Sequence, residues 1–117
     1  MQVIMNNEKP LIAILMAVYE PNMDWLKKQL DSINVQTYSN IRLYIRDDCS
    51  VTVPFETIKA LASECITELP YSIERNDNNL GSNKTFELLT QEAEGEYFAY
   101  YDQDDIWHSD KLTVLQE

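Results

Sequence analysis

Cationic side chains are scarce in this sequence. Its 117 residues contain 9 Lys and Arg against 20 Asp and Glu, which gives a formal net charge of -11. Binding to a nucleic-acid backbone rewards clustered cations, so we expect no nucleic-acid partner. An acidic chain suits the capture of metal cations, or of an anionic ligand that enters with a metal, although solubility alone accounts for most of these carboxylates.

Cysteines and long apolar runs are scarce as well. Cys49 and Cys65 are the only cysteines, and their spacing is not that of a metal site, which favours a reduced, intracellular protein without a disulfide framework. The longest apolar run, Leu11–Tyr19, is too short to cross a bilayer, and Met1–Pro10 lacks the cationic start and apolar core of a signal peptide. We therefore expect a soluble, cytoplasmic chain with one modest core and one domain.

What the sequence does contain is a regular alternation of strand and helix patterns. Apolar or alternating segments predict four strands, Leu11–Tyr19, Ile41–Arg46, Tyr71–Glu74 and Glu96–Tyr101. Apolar residues spaced by three and four predict a helix after each strand. This order predicts an α/β fold with a mostly parallel sheet and helices on both faces.

Individual residues indicate where these helices begin and end. Asn22 is suited to cap a first helix over Met23–Val35, and Pro54 is suited to the first turn of the second. Gly95 is a good terminator for the third helix, and Ser109 is placed to cap the last.

Three polar groups follow predicted strands. They are Tyr19–Glu20 after the first strand, Asp47–Asp48 after the second and Asp102–Asp105 after the fourth. In parallel sheets, ligands bind in the crevice beyond the carboxyl ends of the strands. The sequence therefore predicts a ligand site at this edge of the sheet.

Asp102 and Asp104 are candidate metal ligands. In an extended segment they project to the same side, with Gln103 between them pointing elsewhere. Mg²⁺ and Mn²⁺ prefer such oxygen ligands, and a metal held there could neutralise a diphosphate leaving group. The alternative is a solvated acidic turn that caps the following helix, since short acidic motifs are common.

The other polar groups also have two interpretations. Asp47–Asp48 either hydrogen-bonds a nucleobase or ribose, or closes the turn after the strand with help from Ser50. Tyr19 either stacks on a base or is ordinary packing, and Cys49 is interpreted as a small buried residue. Gly81 would let the backbone of its loop approach a ligand closely.

Four segments together resemble the amino-terminal half of family-2 glycosyltransferases, which are inverting enzymes with the GT-A (Rossmann-like) fold. The segments are Ile12–Glu20, Leu30–Tyr38, Leu43–Ser50 and Ala93–Leu112. They occur in the family's order and with natural spacing, from Leu11 almost to the end of the chain.

The resemblance implies roles for particular residues. Tyr19 would lie against the base of a nucleotide-sugar, and Asp48 would hydrogen-bond that base with Asp47 supporting the loop. Asp102 and Asp104 would be the family's DxD motif, with Asp104 the direct ligand of Mn²⁺ or Mg²⁺ and Asp102 reaching the ribose or the metal.

Within the family, the form DQDDIW after the fourth strand looks most like the rhamnosyltransferase-type branch. Asn79-Leu80-Gly81 and Phe86 add to this likeness. It implies deoxythymidine-diphosphate-rhamnose as the donor.

The sequence also departs from the family pattern. The usual Pro-Thr-Tyr-Asn reads Ala17-Val18-Tyr19-Glu20, the usual glycine after the paired aspartates is Cys49, and Lys84 is the candidate for the arginine expected after the third strand. The residues expected to bind the nucleotide-sugar are Tyr19, Glu20, Asp47, Asp48, Gly81, Lys84 and Asp102.

Family catalytic domains continue well beyond the DxD motif. We therefore expect residues 1–117 to be the donor-binding half of a truncated domain, with the catalytic base and the site for a saccharide or lipid-linked acceptor beyond residue 117. Peripheral membrane association of a full-length protein and self-association of the chain are further expectations.

Two functions of other classes remain as alternatives. A phosphoacceptor receiver domain has a similar alternation of elements, but its acidic pair should follow the first strand, where this chain has only Glu20. A non-catalytic interaction domain derived from a transferase is the other.

Overall fold

The computed structural model describes residues 9–101, 109 and 111–116. These residues form four strands, β1 (Ile12–Val18), β2 (Ile41–Asp47), β3 (Tyr71–Arg75) and β4 (Tyr97–Tyr101), and four helices, α1 (Met23–Asn34), α2 (Phe55–Cys65), α3 (Ser82–Glu92) and α4 (Lys111–Gln116). The strands form one sheet in the order β3-β2-β1-β4, and every pairing is parallel. The predicted α/β architecture is confirmed.

The central strand β1 explains why its sequence is apolar throughout. It pairs with β2 on one side and β4 on the other, and helices cover both of its faces, so alternate side chains enter two separate core clusters. The larger cluster contains Ile12, Ile14 and Met16 with residues of α1 and α2, and the smaller one contains Ala13 and Leu15.

Helix α1 begins and packs as its sequence predicts. The side-chain oxygen of Asn22 accepts a hydrogen bond from the Trp25 N–H at 3.0 Å, which is an N-cap. On its inner face Leu26 and Leu30 are buried. The helix is also joined to β4, because the Ser32 and Tyr101 hydroxyls lie 2.8 Å apart in the interior.

Two predicted helix boundaries, the start of α2 and the end of α3, are wrong. Pro54 occupies the N-cap of α2 rather than its first turn, and α3 ends at Glu92 with Ala93 as its C-cap, before Gly95. The glycine has another use: a Cβ at Gly95 would lie 3.1 Å from both the Cβ and the backbone nitrogen of Ala13. Glycine is therefore needed there for close approach to β1 and not to terminate the helix.

No helix in the described ranges combines the length and the apolar character that crossing a bilayer requires.

Candidate functional site

The carboxyl ends of the first three strands meet at one edge of the sheet. The Asp48 N–H donates to the Val18 carbonyl, and the Asn76 N–H donates to the Asp47 carbonyl, both at 2.8 Å. Strand β4 pairs in parallel with β1, so it also ends at this edge, at Tyr101. The polar groups predicted to converge there do so as far as the structure describes them.

Asp47 closes the turn after β2. Its side chain is fully buried, and its Oδ1 accepts a hydrogen bond from the Ser50 hydroxyl at 2.6 Å. Its Oδ2 accepts from the Ser50 N–H at 3.3 Å and lies 3.7 Å from Nε of Arg75. The structural interpretation of Asp47 and Ser50 is confirmed, and a supporting role for Asp47 in ligand binding remains a prediction.

Cys49, inside this turn, has the left-handed backbone conformation, with φ of +62°. Glycine adopts this conformation without a steric penalty, which is a physical reason for the glycine that the family pattern usually has at this position. The expectation that Cys49 is buried was wrong, because its side chain is only partly covered and its Sγ lies 3.7 Å from the Asp77 carbonyl oxygen and from an Arg75 guanidinium nitrogen. The backbone conformation at this position is therefore set by the turn, and the Cys49 side chain is not part of the buried core.

Replacing Cys49 with glycine is expected to raise the free energy of unfolding by about 0.5–1 kcal/mol, since relief of left-handed strain outweighs the added freedom of the unfolded chain. Urea denaturation measures the change. Cys49→Ala is the control, because alanine has the same backbone strain; equal stabilities of the two variants would contradict this explanation.

Glu20 holds the neighbouring loop together. Its carboxylate accepts hydrogen bonds from the backbone N–H groups of Val51 (2.6 Å), Thr52 (3.1 Å) and Val53 (3.3 Å), and its own N–H donates to the Ser50 hydroxyl. The hydrogen bond from Val51 is the main reason why the pKa of Glu20 is lowered, with the Thr52 and Val53 bonds adding to it against the opposing effect of desolvation. Contact between Glu20 and a nucleotide-sugar remains a prediction.

Asp48 is buried at the carboxyl edge of the sheet, directly after β2. It is 4% exposed, and it accepts hydrogen bonds from the Leu80 N–H (2.7 Å), the Gly81 N–H (2.9 Å) and the Asn76 side-chain amide (2.8 Å). Burial alone raises the pKa of a carboxyl group, but these hydrogen bonds outweigh that effect and the pKa of Asp48 is lowered. Asp48 is therefore an ionised hydrogen-bond acceptor that also fixes the loop before α3.

Gly81 and Tyr19 have the exposure expected of ligand-contacting groups. Gly81 has φ of +92°, caps α3, and has no atom within 4 Å of where a Cβ would lie, so the space beside it is open. The Tyr19 side chain is 45% exposed. Their roles in nucleotide binding remain predictions.

Arg75 was missed by the sequence analysis. It is the last residue of β3, and its guanidinium donates to the Ser50 carbonyl at 2.7 Å while its side chain remains 36% exposed. Lys84 was the candidate for the arginine that the family pattern has after the third strand. It lies within α3 and forms an exposed ion pair with Glu87 at 3.7 Å. The predicted third strand stopped at Glu74, one residue early, so the sequence did not show that Arg75 lies at the carboxyl edge of the sheet.

The candidate metal ligands Asp102 and Asp104 lie outside the described residues. In the part of the chain that the structure covers, no group of three or more His, Cys, Asp or Glu side chains is arranged to hold a metal ion. The described carboxylates of the edge, Glu20, Asp47 and Asp48, already accept hydrogen bonds from N–H or O–H groups. Their surroundings fit hydrogen-bonded anions better than metal ligands.

Curated relatives match most of this chain in sequence. A putative teichuronic acid biosynthesis glycosyltransferase, TuaG of Bacillus subtilis, is 29% identical over 113 residues, which is 97% of this chain and 43% of that protein. A putative colanic acid biosynthesis glycosyl transferase, WcaA of Escherichia coli, is 32% identical over 108 residues, 86% of this chain and 36% of that protein. The chain thus spans less than half the length of these relatives.

Solved structures share the fold. The mannosyltransferase PcManGT from Pyrobaculum calidifontis, in complex with GDP-Man and Mn²⁺, superposes with a TM-score of 0.78 at 17% identity, over 94% of this chain and 32% of that one. S. aureus TarS 1-349 in complex with UDP-GlcNAc gives a TM-score of 0.77 at 19% identity, over 89% and 29% of the two chains.

The fold is therefore GT-A-like. The family model for glycosyl transferase family 2 matches residues 13–117, and the chain belongs to that family.

Proposed function

We propose that the carboxyl edge of the sheet binds the nucleoside diphosphate part of a nucleotide-sugar, and that the chain is the donor-binding portion of an inverting glycosyltransferase. The observation that carries this proposal is Asp48, a buried carboxylate directly after β2 that accepts hydrogen bonds from Leu80, Gly81 and Asn76. An ionised carboxylate only accepts hydrogen bonds. Its ligand must therefore donate, as the ring N–H of uracil, thymine or guanine does.

Neighbouring side chains would complete the donor site. The exposed ring of Tyr19 offers a face on which a base can stack. Arg75 adds a permanent positive charge at the end of β3, which favours an anionic ligand in a chain whose net charge is -11. Glu20, Asp47, Gly81 and Lys84 complete the proposed set.

We propose that Asp104, with Asp102, holds Mn²⁺ or Mg²⁺. Support comes from the oxygen-donor chemistry of the motif and from the related mannosyltransferase, whose complex contains Mn²⁺. When bound, such a metal supplies positive charge to a diphosphate leaving group. The chain's own part is to hold the base and the ribose at Asp48 and Tyr19, so that the diphosphate lies along the sheet edge.

The donor sugar and the acceptor are finer proposals. The DQDDIW sequence, Asn79–Gly81 and Phe86 favour deoxythymidine-diphosphate-rhamnose, whereas related structures contain UDP-GlcNAc or GDP-Man. Relatives named for teichuronic acid, colanic acid and amylovoran biosynthesis favour a cell-surface saccharide or its lipid-linked precursor as acceptor. A carboxylate base outside residues 1–117 would deprotonate that acceptor. The reaction would take place on the cytoplasmic side, and the whole protein would associate peripherally with the membrane.

Self-association is also proposed for the chain alone. Among the described strands β4 lies at an edge of the sheet, and its Tyr97 and Tyr100 side chains are 54% and 52% exposed. Light scattering over a concentration series should show a rising mass, and a constant monomer mass would remove the proposal.

Calorimetric titration of UDP, GDP and dTDP, each with and without Mn²⁺, tests the proposed function. We expect one nucleotide to bind preferentially and only with the metal, and Asp104→Ala to weaken binding at least tenfold. Glu64→Ala is the control, because it removes one exposed carboxylate near the end of α2, away from the ligand edge. Metal-independent binding that Asp104→Ala leaves unchanged would contradict the metal assignment, and cooperative folding with no nucleotide binding would favour the non-catalytic alternative.

A further inference from the structure

A chain of polar side chains connects the outer surface of α3 to Asp48. Glu92 forms an ion pair with Arg46 at 3.3 Å, and Nε of Arg46 donates to the side-chain oxygen of Asn76. The amide nitrogen of Asn76 then donates to Asp48 at 2.8 Å and to the Thr85 hydroxyl at 2.9 Å. Asn76 is 2% exposed, so it reaches solvent only through its neighbours.

Arg46 determines which way the Asn76 amide faces. A guanidinium group can only donate hydrogen bonds, so the amide oxygen must face Arg46 and both amide N–H groups must face inward. Those two N–H groups meet the two acceptors that are present, Asp48 Oδ1 and Thr85 Oγ1. The Thr85 hydroxyl can accept because its own proton goes to the Gly81 carbonyl at 2.8 Å. Each donor in the network thus has one acceptor.

The same network determines how Asp48 is presented. Its Oδ1 accepts two hydrogen bonds, from Asn76 and from the Leu80 N–H, whereas its Oδ2 accepts one from the Gly81 N–H at 2.9 Å. Oδ2 is therefore the oxygen better able to accept a further N–H from a ligand. Without the Asn76 bond, the carboxylate could rotate about its terminal side-chain torsion, because such torsions are soft.

We infer that Asn76 is a positioning residue for the nucleotide: held by Arg46, it fixes the Asp48 carboxylate and the Leu80–Gly81 backbone in the arrangement that receives the base. This inference rests on the proposed function. It assigns Asn76 and Arg46 no contact with the ligand, and it gives a reason for an arginine at the next-to-last position of β2 that is paired with a residue of α3.

The test uses Asn76→Asp, which has nearly the same shape but replaces the donating amide with a second carboxylate beside Asp48. We expect affinity for the preferred nucleoside diphosphate, with Mn²⁺, to fall at least tenfold. Asn78→Asp is the matched control, since it adds the same charge to the same loop at an exposed position and is expected to bind like the wild type. Unfolding by urea is measured on each variant, because a merely structural role would lower affinity only through loss of folded protein.

Arg46→Lys is the second variant and covers the case in which Asn76→Asp does not fold. It retains the charge opposite Glu92, but one ammonium group replaces the separate Nε and Nη1 donors that serve Asn76 and Glu92, so the Asn76 amide is held less firmly. We expect a smaller loss of affinity, about threefold to tenfold, in a fully folded protein. Wild-type affinity in folded Asn76→Asp, or in Arg46→Lys where the first variant does not fold, would overturn the inference.

The amide proton shifts of Leu80 and Gly81 give a readout that needs no ligand. Both amides donate to the Asp48 carboxylate, so their NMR signals should move clearly more in Asn76→Asp and Arg46→Lys than in Asn78→Asp, which shows only the local effect of a neighbouring substitution. If the wild type binds no nucleotide, the proposed function fails, and these shifts still decide the positioning role. Unchanged shifts in the folded variants would refute it.

Discussion

Leu89→Ala is expected to lower the free energy of unfolding by about 3 kcal/mol, as truncation of a fully buried leucine usually does. Leu89 is completely buried, and it is the residue of α3 that belongs to the smaller core cluster, with Ala13, Leu15 and Tyr44. It packs in this cluster with Ala13 and Leu15 of β1, so its truncation leaves a cavity against the central strand. Urea denaturation followed by circular dichroism measures the loss.

The same substitution should weaken nucleotide binding, because α3 carries the loop that closes on Asp48. The helix starts at Ser82, directly after Gly81, whose N–H donates to Asp48. Leu88→Ala is the matched control: Leu88 is the next residue along the helix but only half-buried, so its truncation should cost about 1 kcal/mol or less. Equal losses in the two variants would show that α3 is not held by Leu89.

The order of elements could be predicted from the sequence because each strand is a local pattern. Strand β1 reads as unbroken apolar sequence since both of its faces are covered, and the structure puts it at the centre of the sheet. The end of α3 could not be predicted in the same way. Gly95 looks like a helix terminator, but its reason for being glycine is close approach to Ala13, more than 80 positions earlier in the chain.

The location of the candidate site could also be predicted, but the hydrogen bonds within it could not. The strand ends alone placed Asp47 and Asp48 at the carboxyl edge of the sheet. Nothing local shows that Glu20 accepts hydrogen bonds from backbone groups 31–33 residues away, or that Asn76 links Asp48 to Arg46. Such contacts depend on how the loops fold over one another, so an asparagine in a polar segment cannot be distinguished from an ordinary loop residue.

Asp48→Ala is expected to lower the free energy of unfolding by about 3 kcal/mol and to weaken nucleotide binding more than tenfold. Three donors, the N–H groups of Leu80 and Gly81 and the Asn76 amide, lose their acceptor at a site that is 4% exposed, and each buried donor left unpaired costs about 1–3 kcal/mol before relaxation and water entry reduce the sum. Asp48→Asn is the control. It keeps one oxygen acceptor and should lose about half as much stability.

The stability lost in Asp48→Ala should also depend on pH. The pKa of Asp48 is lower in the folded protein than its ordinary value, so the folded state favours the ionised form. Its contribution is therefore fully present above about pH 4 and is lost as the pH falls through the folded-state pKa. Urea denaturation at a series of pH values should show the largest difference between wild type and Asp48→Ala near neutrality and a shrinking difference below about pH 4. A difference that stays constant down to pH 3 would mean that the Leu80–Gly81 loop does not depend on the charge of Asp48.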